Sequence, residues 1–153
     1  MRVQERLREL GLDAIARELP DSARTAPEAA AAVGVEVGAI VKSLVFRTGE
    51  DALLVLVSGA NRADEARLEQ AVGGPVARAD AEFVRATTGF AIGGVPPLAH
   101  PTPLRTLIDT DLLRYGVVWA AAGHPRVVFP IAPDELVRVT GGTVLSVASA
   151  PAR

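Results

Sequence analysis

The longest uninterrupted pattern runs from Ala39 to Gly59. "AIVKSLVF" and "ALLVLVSG" are apolar runs on either side of the polar "TGED", which predicts two strands and a tight turn. Shorter periods surround them. Val3, Leu7 and Leu10 fall at helical spacing before Gly11. "LDAIARELP" reads equally as a strand or a continuing helix, ended by Pro20. Thr25 and Glu28 form a capping-box pattern ahead of an Ala-rich helix closed by Gly34. "ADEARLEQAVGG" predicts a helix ending at Gly73, "PVARAD" a short strand, and "AEFVRATTG" a helix with Asp80 as its N-cap. After a Gly- and Pro-rich loop, "LRTLID" predicts a strand and "TDLLRYG" a short helix. "VVWAAAG" and "RVVFP" predict a hairpin around "GHP". "PDELVRVTGG" starts a helix with Pro133 in its first turn, and "TVLSVAS" is a last strand.

Strands and helices interleave without a regular βαβ alternation, and two hairpins stand out. This order predicts an α+β fold in a single domain spanning residues 1–153. Its sheet is expected to be curved and mixed, largely antiparallel and barrel-like, with helices packed around it. A chain of 153 residues is long enough for one sizeable core. Aromatics make up only 4% of it, so that core is expected to consist of small and branched side chains.

Charge narrows the function classes. The net charge is −2, the pI is about 5.7, and no Lys/Arg-rich run occurs. A protein gripping long nucleic acid by its phosphates presents a basic face, so any nucleic-acid contact here is expected to be local. There is no cysteine, which removes disulfides, thiolate metal sites and cysteine nucleophiles. No apolar stretch has the length of a membrane span, and the N-terminus lacks a signal-peptide core, so a cytoplasmic location is the default. His100 and His124 lack metal-ligand spacing, and no metal or cofactor is expected.

Two features carry candidate chemistry. The first is Lys42, the single lysine of a chain with fifteen arginines, set inside an apolar run. Period-2 alternation puts it on one face with Ile40, Leu44 and Phe46. Turned inward, its ammonium needs an anionic partner, which a substrate phosphate or carboxylate would supply. At an open sheet edge it would instead reach water and discourage edge pairing. The second is the loop "GFAIGGVPPLAHP". Gly93 and Gly94 permit close main-chain approach and can aim N–H groups at an oxyanion, while Pro96 and Pro97 stiffen the chain beyond them. An ordinary helix-to-strand turn is the alternative.

Together, "VGVEVGAIVKSLVFR", "GFAIGGVPPLAH" and "VVWAAAGHPRVVF" occur in the order and spacing of the YbaK/ProX family of aminoacyl-tRNA editing proteins. The resemblance extends from about Thr25 to about Val147. It implies hydrolysis of the ester joining a wrong, small amino acid (Ala, Ser, Thr or Cys) to the 3′-terminal adenosine of a tRNA, often tRNA-Pro. The implied partners are the aminoacyl-tRNA 3′ end and an aminoacyl-tRNA synthetase. The family lysine matches Lys42, and the family loop matches Gly93, Gly94, Val95, Pro96 and Pro97. His100 matches a position beyond the prolines that varies in the family, and His124 lies in a loop that resembles one lining the family pocket. Lys42 would then hold the terminal phosphate or ester, and the Gly93–Gly94 main chain the carbonyl oxygen. The free ribose hydroxyl would assist water, with Leu44 and Phe46 as pocket walls. Arg62, Arg67 and Arg105 are candidate phosphate contacts. The competing readings are a non-catalytic module binding tRNA ends or a synthetase, a Schiff-base enzyme using Lys42, and a small-ligand protein of another kind.

Overall fold

The computed structural model describes residues 2–23 and 25–149; Met1, Arg24 and residues 150–153 of the expected domain lie outside the described residues. The chain order is α1 (Arg2–Glu9), β1 (Arg17–Glu18), α2 (Ala26–Val33), a 3-10 turn (Val37–Ala39), β2 (Val41–Thr48), β3 (Asp51–Ser58), α3 (Glu65–Val72), β4 (Ala77–Arg78) and α4 (Ala81–Thr88). It continues with β5 (Arg105–Asp109), a second 3-10 turn (Thr110–Arg114), β6 (Val118–His124), β7 (Val127–Ile131), α5 (Pro133–Thr140) and β8 (Thr143–Leu145). The ambiguous 12–20 segment resolves as a two-residue strand.

The local signals act as their chemistry requires. Thr25 and Glu28 exchange side-chain and main-chain hydrogen bonds in a complete capping box, and Gly34 closes α2 in the left-handed conformation. Asp80 accepts from the Phe83 N–H at 2.8 Å, capping α4.

The strands form two sheets, not a barrel. One has five strands in the order β4-β2-β3-β5-β8, the other three in the order β1-β7-β6. Within them β3–β5 and β5–β8 are parallel, and the remaining four pairs are antiparallel. Among the described residues a single parallel bridge, Ile40 to Trp119, links the two sheets. The mixed, largely antiparallel character is as expected, but the sheet does not close on itself. β4 pairs with β2 only at Phe46 and Arg47, leaving residues 41–45 without a strand on that side.

β3 is the centre of the molecule. Leu53 through Val57 are all 0–1% exposed, because both faces of this strand are covered. Leu54 and Leu56 pack with Phe129 and Ile131 of the small sheet, Leu7 of α1 and Leu136 of α5. Leu53, Val55 and Val57 pack on the opposite face with Phe46, Leu68 of α3 and Val147. The second layer explains why the run "ALLVLVS" does not alternate.

Candidate active site

The gap along β2 is the candidate site. A cavity of about 520 Å³ follows the unpaired stretch of this strand, between β4 on one side and Trp119 and Ala121 of β6 on the other. The Gly59 N–H donates to the Ile40 oxygen at 2.7 Å, and the β2–β3 register continues from that pair. By the alternation of antiparallel bonding, Lys42 and Leu44 turn their main-chain groups to β3, and Ser43 turns its N–H and C=O to the open edge. The cavity wraps around this edge. One side holds Lys42, Leu44, Phe46 and Arg62, and the other Ser43, Val45, Val84 and Val95. Ser43 Oγ is the one side-chain polar atom among the described residues that is buried without a hydrogen-bond partner.

Lys42 is half-buried and donates from Nζ to the main-chain oxygen of Asn61, in the loop after β3. Its acceptor is neutral, so the ammonium is anchored without its charge being matched by a carboxylate in contact. Two further N–H donors of the ammonium remain available. Burial lowers the Lys42 pKa from the ordinary 10.5, the neighbouring Arg62 guanidinium lowers it further, and Asp109 opposes both.

Of the residues singled out from the sequence, Lys42, Leu44, Phe46, Gly93 and Val95 meet at this cavity. Gly94 does not line it. Its missing side chain lets it lie on the β6–β7 hairpin, where a Cβ would come within 2.9 Å of His124 Cα and 3.0 Å of its main-chain N and C. The Gly94 N–H is committed to the Ala91 oxygen at 3.0 Å. Pro96 and Pro97 are buried within the loop. Pro97 and His100 line a second cavity of about 180 Å³, with Thr106 and Thr140. His100 Nε2 lies 2.7 Å from the Pro96 oxygen, and the Ala99 backbone adopts a positive φ of 68° where the chain turns away. The His124 ring is exposed, and its Nδ1 accepts from the Arg126 N–H at 3.1 Å. Of the three candidate arginines, Arg62 is at the cavity. Arg67 pairs with Asp64 and Ser146, and Arg105 donates to the Ala71 oxygen at 3.2 Å.

The sequence pattern did not single out Ser43 or Arg78. Ser43 had a signal, a polar residue beside the lone lysine in an apolar run. Arg78 had none, since its place at the cavity depends on the pairing of β4 with β2. Among the described residues no group of three His, Asp or Glu gathers where a metal could be held.

Comparison with known proteins shows the family. The model of the aminoacyl-tRNA editing domain matches residues 20–139. The chain belongs to this family. It is 30% identical over 120 residues to the uncharacterized protein YwhH of Bacillus subtilis, covering 78% of this chain and 76% of that one. It is 26% identical over 122 residues to EbsC of Enterococcus faecalis, named as a candidate Cys-tRNA(Pro)/Cys-tRNA(Cys) deacylase, covering 77% of this chain and 73% of that one. A solved structure described as a candidate trans-editing enzyme for prolyl-tRNA synthetase superposes with a TM-score of 0.94. It is 52% identical, over 97% of this chain and 96% of that one. In this chain the fold is two sheets with an open edge along β2, and Lys42 lies at that edge. No helix among the described residues is long and apolar enough to cross a membrane.

Proposed function

We propose that this editing domain is a trans-editing deacylase that hydrolyses the ester of a small amino acid wrongly attached to a tRNA, with tRNA-Pro as the leading acceptor. The observation that carries the reading is the single lysine, anchored by a neutral carbonyl inside a cavity large enough for an aminoacyl-adenosine end. Such an ester is already activated, so the site has to orient it, stabilise the developing oxyanion and admit water. No side-chain nucleophile is required.

Lys42 meets the terminal phosphate or the ester with its charge. Gly93 supplies the main-chain N–H for the carbonyl oxygen, since the Gly94 N–H is already used in the turn. Leu44, Phe46 and Val95 shape the walls, and the free ribose hydroxyl orients the attacking water. The reaction takes place in the cytoplasm, where aminoacyl-tRNA is made. The test is single-turnover deacylation of tRNAs mischarged with Ala, Ser, Thr and Cys, with Lys42→Ala as control. Rapid, Lys42-dependent hydrolysis of one of them supports the reading. Binding of the same tRNAs without hydrolysis would favour a tRNA-end-binding module instead.

A further inference from the structure

Asp109 ends β5 and is 1% exposed, yet among the described residues no cation pairs with it. Three N–H groups converge on its carboxylate. Oδ1 accepts from the Asp111 N–H at 3.0 Å, and Oδ2 from the Ser58 N–H at 3.0 Å and the Asn61 side-chain amide at 2.9 Å. The same Asn61 amide donates to Asp111 Oδ2 at 2.8 Å. Both of its N–H bonds are thereby used by carboxylates, which fixes the residue. The Asn61 main-chain N–H closes a turn on the Ser58 oxygen at 2.9 Å. Ser58 Oγ in turn donates to the Gly38 oxygen at 2.7 Å, tying the loop to the turn before β2. Gly59 makes this docking possible, because a Cβ there would lie 2.4 Å from the Val37 oxygen. The product of all these bonds is one carbonyl held still: the Asn61 oxygen that receives Lys42 Nζ.

We propose that Asp109 is a positioning residue for Lys42, fixing through Asn61 the carbonyl on which the ammonium docks and favouring that ammonium by charge without pairing with it. A carboxylate in direct contact would neutralise the charge that an anionic substrate group has to meet. Placed behind Asn61, the carboxylate acts at longer range and leaves the remaining ammonium donors to the cavity. Its field opposes the burial and the Arg62 repulsion that disfavour the charged amine. The other charged groups near Lys42 are Glu65 and Arg78, which line the same cavity, and Asp111, held on the Asn61 amide. The inference rests on the proposed function only in that Lys42 is taken to meet substrate.

Lysine occurs once in the chain, so protein labelled with ¹³Cε-lysine gives one resonance to follow with pH. Asp109→Asn should move its titration midpoint to lower pH than in the wild type. A purely structural Asp109 would lower thermal stability and leave the midpoint in place, and that result would overturn the charge half of the proposal. Asn61→Ala keeps the carboxylate but releases the loop. It should slow single-turnover deacylation by roughly tenfold or more, in line with lost preorganisation, and wild-type rates would overturn the positioning half. If the wild type deacylates nothing in the mischarged panel, the proposed function fails. The resonance experiment still decides whether Asp109 acts on Lys42, in Asp109→Asn or, where that variant does not fold, in Asn61→Ala, whose unchanged Lys42 signal would also count against the proposal.

Discussion

Lys42 docks on the main-chain oxygen of Asn61, nineteen residues further along the chain. The ammonium is thus held by a dipole and keeps its charge for something else. A guanidinium in its place would spread a planar fork across a space shaped for a point charge. Lys42→Ala should therefore lower the single-turnover deacylation rate roughly 10²–10³-fold, the usual cost of losing one preorganised stabilising group. Lys42→Arg should lose most of that activity although it keeps the charge. Wild-type activity in either variant would remove Lys42 from the mechanism.

The same lysine sets a pH dependence. Its folded pKa lies below the ordinary 10.5, chiefly through burial. Deacylation corrected for spontaneous ester hydrolysis should decline as pH rises through that lowered value, and Lys42→Arg should lack this limb. Stability moves the other way. Below the folded pKa both folded and unfolded chains carry the proton, and the burial penalty is fully present. Between that value and 10.5 only the unfolded chain stays protonated, so the penalty fades as pH rises. Melting curves of the wild type and Lys42→Met should therefore converge in alkaline buffer.

Ser43 separates binding from stability. Its hydroxyl is buried without a partner, so Ser43→Ala should leave stability unchanged or raise it slightly. If the hydroxyl faces the amino-acid side chain, the same change should slow hydrolysis of Ser- or Thr-tRNA more than that of Ala-tRNA. Comparing the three rates in both proteins checks this.

Gly94→Ala places a methyl group against the His124 main chain. Overpacking of this kind costs about 1–3 kcal/mol, measurable by urea unfolding. Because the displaced loop carries Gly93, deacylation should fall as well.

Arg62 borders the cavity, while Arg67 and Arg105 are occupied elsewhere. Arg62→Ala should weaken tRNA binding and reduce the slope of log K against log salt by about 0.7, the value for one phosphate contact on a single strand. Arg67→Ala and Arg105→Ala should leave that slope unchanged.

The parts of the fold visible in the sequence are those set by neighbours along the chain. Thr25 with Glu28, Asp80, and Gly34 and Gly73 after their helices each act within one turn, and each lies where the pattern put it. The β2–β3 hairpin was legible because a two-residue turn, Gly49 and Glu50, fixes its register. The uncovered stretch of β2 was not legible. Whether β2 is covered along its whole edge depends on the length of β4, more than thirty residues away, and β4 has only two residues. For the same reason Lys42 could be singled out while Asn61 and Asp109 could not. Asn61 acts through its main chain, and Asp109 reaches Asn61 only because β5 lies parallel to β3. The loop pattern groups Gly93 through His100 as one unit, but the chain divides it between two cavities, with Gly93 and Val95 at the one beside β2 and Pro97 through His100 at the other.

The open edge of β2 has a consequence for how such a pocket can change over time. Ser43 presents its peptide N–H and C=O there whatever side chain it carries. Substitutions at residues 41–45 can enlarge, narrow or repaint the cavity while the peptide groups stay where the strand puts them. Preference for one amino acid over another is then free to drift residue by residue, on a backbone frame that every substitution except proline leaves with its donor and acceptor.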